Sequence, residues 1–363
     1  MIEPGPMLQT APSPLPLPLW HGDGLAARSI RFALTVMAPV LAGLWLGDGS
    51  WVAYGILVSI FGFLLDTGGP ARERLWAVAT AGALVLAGSA LGTLAHGAPG
   101  LTTAVLVLVM MIYGLLESAD PAIAFGARLL CISTAIAALF SPLATVDVPA
   151  VVIFVGLTWA ISVGWDALTG IWRPSVAPRP GALFAHLRAT GPERRIFAGV
   201  VGLTTAAVLQ TATALGLQRP HWALLAIVIV MRADAKLTGT MVRNLLLGTL
   251  AGVLLTIGYE RLFPTAFGLT IGMVIAALLR WPAHQLNGGL GLGAMAAFIL
   301  LLLQLVTLHT GIATHAPAVR MIDTALGCAF VLAGIGLNRL ACRVLLGRPA
   351  KSAPPADPAA PPR

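Results

Sequence analysis

The chain has 363 residues, of which 58% are hydrophobic and 10% charged, with a formal net charge of +8 and a mean hydropathy of +0.89. A soluble domain carries about 25% charged residues, so this composition excludes an ordinary water-exposed globule. The apolar residues run along the whole chain, which also excludes a soluble protein held by a single anchor.

Residues 1–27 form a Pro-rich tail that cannot bury enough apolar surface to offset ordering and is expected to be disordered. Its segment LPLPLW is no secretory signal, because it lacks a basic start and its prolines break a helix. Six apolar stretches follow, near 29–47, 51–65, 74–95, 100–117, 120–140 and 148–171, and make a first membrane unit, 28–172. The stretch 173–195 is a basic cytoplasmic linker in which ALFAHLRATGPERR can form a short surface helix. Six more apolar stretches, near 196–215, 221–231, 243–259, 263–280, 284–308 and 319–340, make a second unit, 196–346. Residues 347–363 are a second disordered tail.

The expected fold is an all-α integral membrane protein of about twelve transmembrane helices, arranged as two parallel six-helix repeats. Six is an even number, so both halves enter the membrane in the same orientation, related by a two-fold axis along its normal. Two stretches are too short to span comfortably: those from Trp51 and from His221 cover about 16–23 Å of a hydrocarbon core roughly 30 Å thick. Paired short segments in matching places of two halves point to a substrate path. The chain therefore reads as a transporter or channel with its path between the repeats.

Eighteen of the 22 basic residues fall on one side of these stretches; Arg219, Arg261 and Arg320 fall on the other, and Arg128 lies within a helix. This is the positive-inside pattern, with both termini cytoplasmic in a multi-pass protein of the plasma (inner) membrane. The basic excess is a topology signal. The expected partner is therefore the lipid bilayer, with no nucleic acid. Cys131, Cys328 and Cys342 are odd in number and set in apolar helix, so they read as packing residues. No GxxxxGK[ST] loop, nucleophile elbow or His pair at i,i+4 occurs. No enzyme activity, cofactor or metal is expected, since His309 and His315 alone do not make a metal site.

Arg128 and Arg232 are the candidate cations of an anion path, because an intramembrane Arg costs about 2.5–3.5 kcal/mol and needs a partner or a wet cavity. For Arg128 the alternatives are snorkelling to the surface or pairing with Glu117 or Asp120. Trp51 and Trp222 are either interfacial belt residues or stacking partners for an aromatic substrate, with His221 as a polar edge. Asp66 and Asp234 sit in equivalent polar turns and are candidates for proton coupling; the alternative is an ordinary cytoplasmic loop. Gly43/Gly47, Gly88/Gly92, Gly248/Gly252 and Gly289/Gly293 are spaced for close helix approach. Arg74 with Thr80 is expected to match Arg243 with Gly248-Thr249 in the second repeat. Arg320 and Asp323, three apart, are expected to pair on one helix face and orient the last helix.

The stretch RPHWALLAIVIVMRADAKLTGTMVRNLLLGTLAG, residues 219–252, is an aromatic-capped apolar helix, a polar turn, then an Arg followed by Gly-Thr and Gly. With Arg320, Asp323, Thr324 and Gly327 opening the last helix, it resembles the fusaric acid resistance family. The resemblance implies export of aromatic or other organic acids, with coupling to protons favoured because no ATP site exists. A passive organic-anion channel and a membrane assembly component are the alternatives. The partners implied are a small organic anion and, beyond it, a periplasmic adaptor or a second copy of the chain.

Overall fold

The structure is a computed structural model, described here for residues 24–47, 50–66, 68–170, 182–217, 219–310 and 316–347. Most of the two tails, the linker start at 171–181 and His315 lie outside the described residues, and with them the expectation of disordered ends. Among the described residues there is no strand. Six helices come first: α1 (Leu25–Leu46), α2 (Ser50–Leu65), α3 (Ala71–Ala95), α4 (Pro99–Leu116), α5 (Pro121–Leu139) and α6 (Asp147–Thr169). The short α7 (Ala182–Arg188) lies in the linker. Then come α8 (Pro192–Ala214), α9 (His221–Val230), α10 (Ala235–Leu262), α11 (Ala266–Leu286), α12 (Gly288–Thr310) and α13 (Ala316–Leu346). Ten of these are long and apolar enough to cross a membrane; α2 and α9 are the two shorter apolar helices.

Local chemistry sets the helix ends. Pro99, Pro121 and Pro192 open α4, α5 and α8, where a fixed φ and a missing N–H fit the first turn. Asp120, Asp234 and Thr265 cap α5, α10 and α11 by accepting backbone N–H bonds, which satisfies donors that have no partner within the helix. Gly47 ends α1 in the left-handed region, φ 66°. It is a C-terminal cap, not the helix-packing glycine expected from its spacing to Gly43.

The helix contacts of α1–α6 recur in α8–α13. α3 packs on α5 as α10 packs on α12, and α2 packs on α6 as α9 packs on α13. The halves exchange contacts reciprocally, α4 lying on α8 and α11 on α1. Backbones touch at the glycines, as small-residue packing requires. A Cβ on Gly88 would lie 2.7 Å from the Leu130 carbonyl, 3.0 Å from Ser133 Cβ and 3.2 Å from the Thr134 nitrogen. A Cβ on Gly252 would lie 2.7 Å from the Gly293 carbonyl, 2.8 Å from Ala296 Cβ and 3.1 Å from the Ala297 nitrogen.

The glycine contacts fit two residue registers, neither of which pairs Arg74 with Arg243: a Cβ on Gly248 would lie 2.4 Å from the Gly289 carbonyl, 3.0 Å from Leu292 Cβ and 3.0 Å from the Gly293 nitrogen, the same pattern as at Gly88 and at Gly252. Counting back fourteen residues from Gly88 and from Gly252 reaches Arg74 and Thr238, each the fourth residue of its helix. Arg74 (1% exposed) and Thr238 (1%) are both buried, whereas Arg243 is exposed. Thr80 is exposed and Thr249 is buried.

α9 is apolar all round, and only Trp222 and Ile229 of its residues are not buried. Such a helix needs neighbours on every side, and α4, α5, α8, α10 and α13 contribute to the core that surrounds it. On the outside of the molecule, Trp45, Leu94, Leu168 and Phe267 are exposed. An apolar exterior of this kind suits lipid, not water.

Candidate functional site

Charged side chains gather at the two ends of α9 and at one end of α2. The first cluster forms where α9 stops. Met231 turns extended, at φ −71° and ψ 117°, which leaves the last carbonyls of α9 without intrahelical partners. The Arg232 guanidinium supplies them: Nη1 donates to the Val228 carbonyl at 3.4 Å and the Met231 carbonyl at 3.2 Å, and Nη2 to the Ile229 carbonyl at 2.9 Å. The same Nη1 donates to the Tyr113 hydroxyl at 2.5 Å, and that hydroxyl donates to the Met231 carbonyl at 2.7 Å. Arg232 Nε lies 3.5 Å from Glu117 Oε1.

Arg128 of α5 shares this field, its electrostatic neighbours being Arg232, Tyr113 and Glu117. Its Nε is buried with no hydrogen-bond partner. The Asp120 side chain accepts the Ala122 N–H as a helix cap, and Asp120 is not among the charged groups that act on Arg128. Two guanidiniums thus face one carboxylate. The cluster carries an excess positive charge, with Arg232 buried and Arg128 half-buried and hydrogen-bonded with Tyr113, and a bound anion would balance it.

The second cluster is neutral and closed. Arg74 donates through Nε to the Gly69 carbonyl at 2.9 Å, and through Nη1 to the carbonyl and hydroxyl of Ser162, both at 3.1 Å. Its Nη2 is bonded to Asp166, and the Ser162 hydroxyl to Asp66. Arg31 Nη1 stands 3.9 Å from Asp166 Oδ1, and Arg74 Nε 3.9 Å from Asp66 Oδ1. Two cations and two carboxylates hold together the starts of α1 and α3 and the ends of α2 and α6. Asp166 is 0% exposed. Asp66 and Asp234, expected to be equivalent, differ: Asp66 is buried in this network, while Asp234 caps α10 through the Lys236 and Leu237 N–H groups in an exposed turn.

The third cluster lies at the other end of α9. The rings of Phe140, His221 and Trp222 follow one another with centroids 4.9 and 4.8 Å apart. A guanidinium covers each end: Arg219 at 5.4 Å from the Phe140 centroid and Arg320 at 3.7 Å from that of Trp222. Both contacts are of the cation–π kind. Trp222 thus stacks on Arg320, whereas Trp51 makes an edge contact with Phe154 at 6.2 Å. Arg320 and Asp323 are not hydrogen-bonded to each other. Both Asp323 oxygens, and Nε and Nη1 of Arg320, lack a hydrogen-bond partner, so the expected structural pair is not formed. Near it, Gly327 brings α13 against α9, where an added Cβ would lie 2.4 Å from the Ala223 carbonyl. Thr324 is buried beside it in sequence. Among the described residues no group of three metal-ligating side chains occurs.

Tyr113, Arg219, Phe140, Ser162 and Asp166 were not singled out as site residues from sequence. One signal was available: Tyr113 is among only three tyrosines in the chain, and it lies within an apolar helix where its hydroxyl needs a partner.

Ten helices long and apolar enough to cross a membrane make this a multi-pass membrane protein. Residues 203–334 match the fusaric acid resistance protein-like family, which makes it one of transporter type, in agreement with the resemblance carried by 219–252 and by Arg320 to Gly327. No curated protein and no solved structure matches the chain.

Proposed function

We propose that the chain exports aromatic or other organic acids across the plasma (inner) membrane, with both termini cytoplasmic. Its two six-helix halves are parallel repeats about an axis along the membrane normal. The recurrence of helix contacts and of the Gly88 and Gly252 environments supports this arrangement. The observation that carries the function is the uncompensated cation at the end of α9, where Arg128 and Arg232 share Glu117. A carboxylate entering from the cytoplasmic side would meet a guanidinium fork suited to bidentate pairing and would leave near Trp51 and Trp222. Coupling to protons would use Asp66 in preference to Asp234, because protonating a buried ion-paired carboxylate rearranges a network while protonating an exposed cap does not.

The test is uptake of labelled benzoate into proteoliposomes with and without an imposed pH gradient. Uptake accelerated by the gradient supports proton-coupled transport, and uptake indifferent to it makes the chain a passive anion path. No protein-dependent uptake of benzoate or other aromatic carboxylates contradicts the reading.

A further inference from the structure

The cluster at the Arg219 end of α9 is built unlike a structural lock. Asp323 is 0% exposed, Arg320 8% and His221 2%, yet both oxygens of Asp323, Nε and Nη1 of Arg320, Nη1 of Arg219 and Nδ1 of His221 have no hydrogen-bond partner. In the closed network around Arg74, by contrast, the same kinds of group bond one another. Buried polar atoms without partners are rare and call for an explanation. Here the charges act on one another without bonding: Asp323 is in the electrostatic field of Arg219 and Arg320, and so is His221.

The ring stack fixes where the guanidiniums sit. Arg219 and Arg320 lie at opposite ends of Phe140, His221 and Trp222, and neither is hydrogen-bonded to Asp323. Exposure is graded across the cluster. Phe140 is 45% exposed, while Asp323 is fully enclosed. The site thus has an open side at Phe140 and Arg219 and a closed floor at Asp323.

We propose that Arg219 and Arg320 form a second carboxylate-binding station, at the end of α9 opposite Arg232, with Asp323 as the built-in negative charge with which an arriving carboxylate competes. This rests on the transport reading above and extends it. α9 has 10 residues, so its ends stand about 15 Å apart at 1.5 Å per residue. Two basic stations at the ends of one short helix would cover about half of a hydrocarbon core roughly 30 Å thick and would give a carboxylate a cation at each end of that stretch. The aromatic stack favours a flat ring beside the carboxylate, since a guanidinium already lying on a ring can take an anion along its edge.

The experiment is equilibrium binding of labelled benzoate to the full-length detergent-solubilised protein, with benzoate flux in proteoliposomes measured in parallel. Asp323→Asn keeps the shape of the side chain and removes the competing charge, so benzoate is expected to bind about tenfold more tightly. Arg320→Gln and Arg219→Gln are expected to weaken binding about tenfold, with Arg232→Gln affecting a separate class of sites. A gain of affinity in Asp323→Asn cannot come from misfolding, and Arg219, at the open side, is replaceable without disturbing the core. Unchanged benzoate affinity in Asp323→Asn and Arg219→Gln, with wild-type flux intact, overturns the second station and leaves the transport reading standing. Wild-type binding that responds to these variants without flux upholds the station and removes the transport reading. A wild-type protein that neither binds nor moves benzoate removes both.

Discussion

Arg232 donates a hydrogen bond to the Tyr113 hydroxyl at 2.5 Å, joining the end of α9 to α4 across the boundary between the two halves. The same guanidinium caps α9 through the carbonyls of Val228, Ile229 and Met231. Arg232 is thus a structural cap as well as a cation on the path. Replacing it by Gln leaves buried carbonyls and Glu117 without their donor, each orphan costing on the order of 1–3 kcal/mol. Arg232→Gln is expected to lower the melting temperature in detergent, and Tyr113→Phe to do so by a smaller amount. Equal melting of wild type and Arg232→Gln would remove the capping role.

The Arg74 network gives a second prediction. Removing one member of a buried ion pair costs about 3–5 kcal/mol, because the other charge is left unpaired, whereas removing both costs less. Arg74→Gln and Asp166→Asn should each reduce the folded, membrane-inserted yield strongly. The remaining Arg31–Asp66 charges are balanced in the Arg74→Gln/Asp166→Asn double variant, which should recover part of that yield. Additive losses in the double variant would show that the two residues act independently.

Close helix approach gives a third. Gly252→Ala places a Cβ 2.7 Å from the Gly293 carbonyl, while an added Cβ at Gly258 of the same helix meets nothing within 4 Å. Overpacking costs about 1–3 kcal/mol, and Gly→Ala in an open helix position gains up to about 1 kcal/mol. Gly252→Ala should therefore melt lower than wild type and Gly258→Ala no lower. The reverse order in a detergent melting experiment would contradict the α10–α12 contact.

Topology gives a fourth. Alkaline phosphatase fused after Pro180 should be inactive, and fused near His309 active, if the linker is cytoplasmic as the split of basic residues implies. Activity after Pro180 would place the linker outside and end the parallel-repeat arrangement.

All twelve apolar stretches read from sequence correspond to helices, because hydropathy alone marks a segment that must satisfy its backbone in lipid. The boundaries moved where polar residues are helical. α10 begins at Ala235, well before the expected 243, since the Asp234 cap starts a polar first turn. α11 runs through Arg280 and Pro282 to Leu286. The site was legible in part. Arg128 and Arg232 stood out as charges in apolar surroundings, but Arg232's capping of α9 was not readable, because it depends on where the helix stops. Arg74 and Arg243 share a pattern of a small residue then Thr in sequence, but Arg74 is buried and Arg243 exposed, a difference in packing that the pattern does not carry. The unbonded state of Arg320 and Asp323 is not legible either, since i,i+3 spacing permits a pair and does not show that Arg320 lies on the Trp222 ring.

The most direct test is the initial rate of benzoate transport by wild type and Arg128→Gln in proteoliposomes holding equal amounts of folded protein. Arg128 is hydrogen-bonded with Tyr113 and lies in the field of Glu117, but it is the second guanidinium beside a single carboxylate, and the excess charge it adds is the cation available to a substrate carboxylate. Gln keeps a polar side chain of similar reach but lacks the charge and its fork of donors. A fall of about tenfold or more, with Arg128→Lys only partly restoring the rate, is the expected result. Wild-type rates in Arg128→Gln would contradict the anion path at the end of α9.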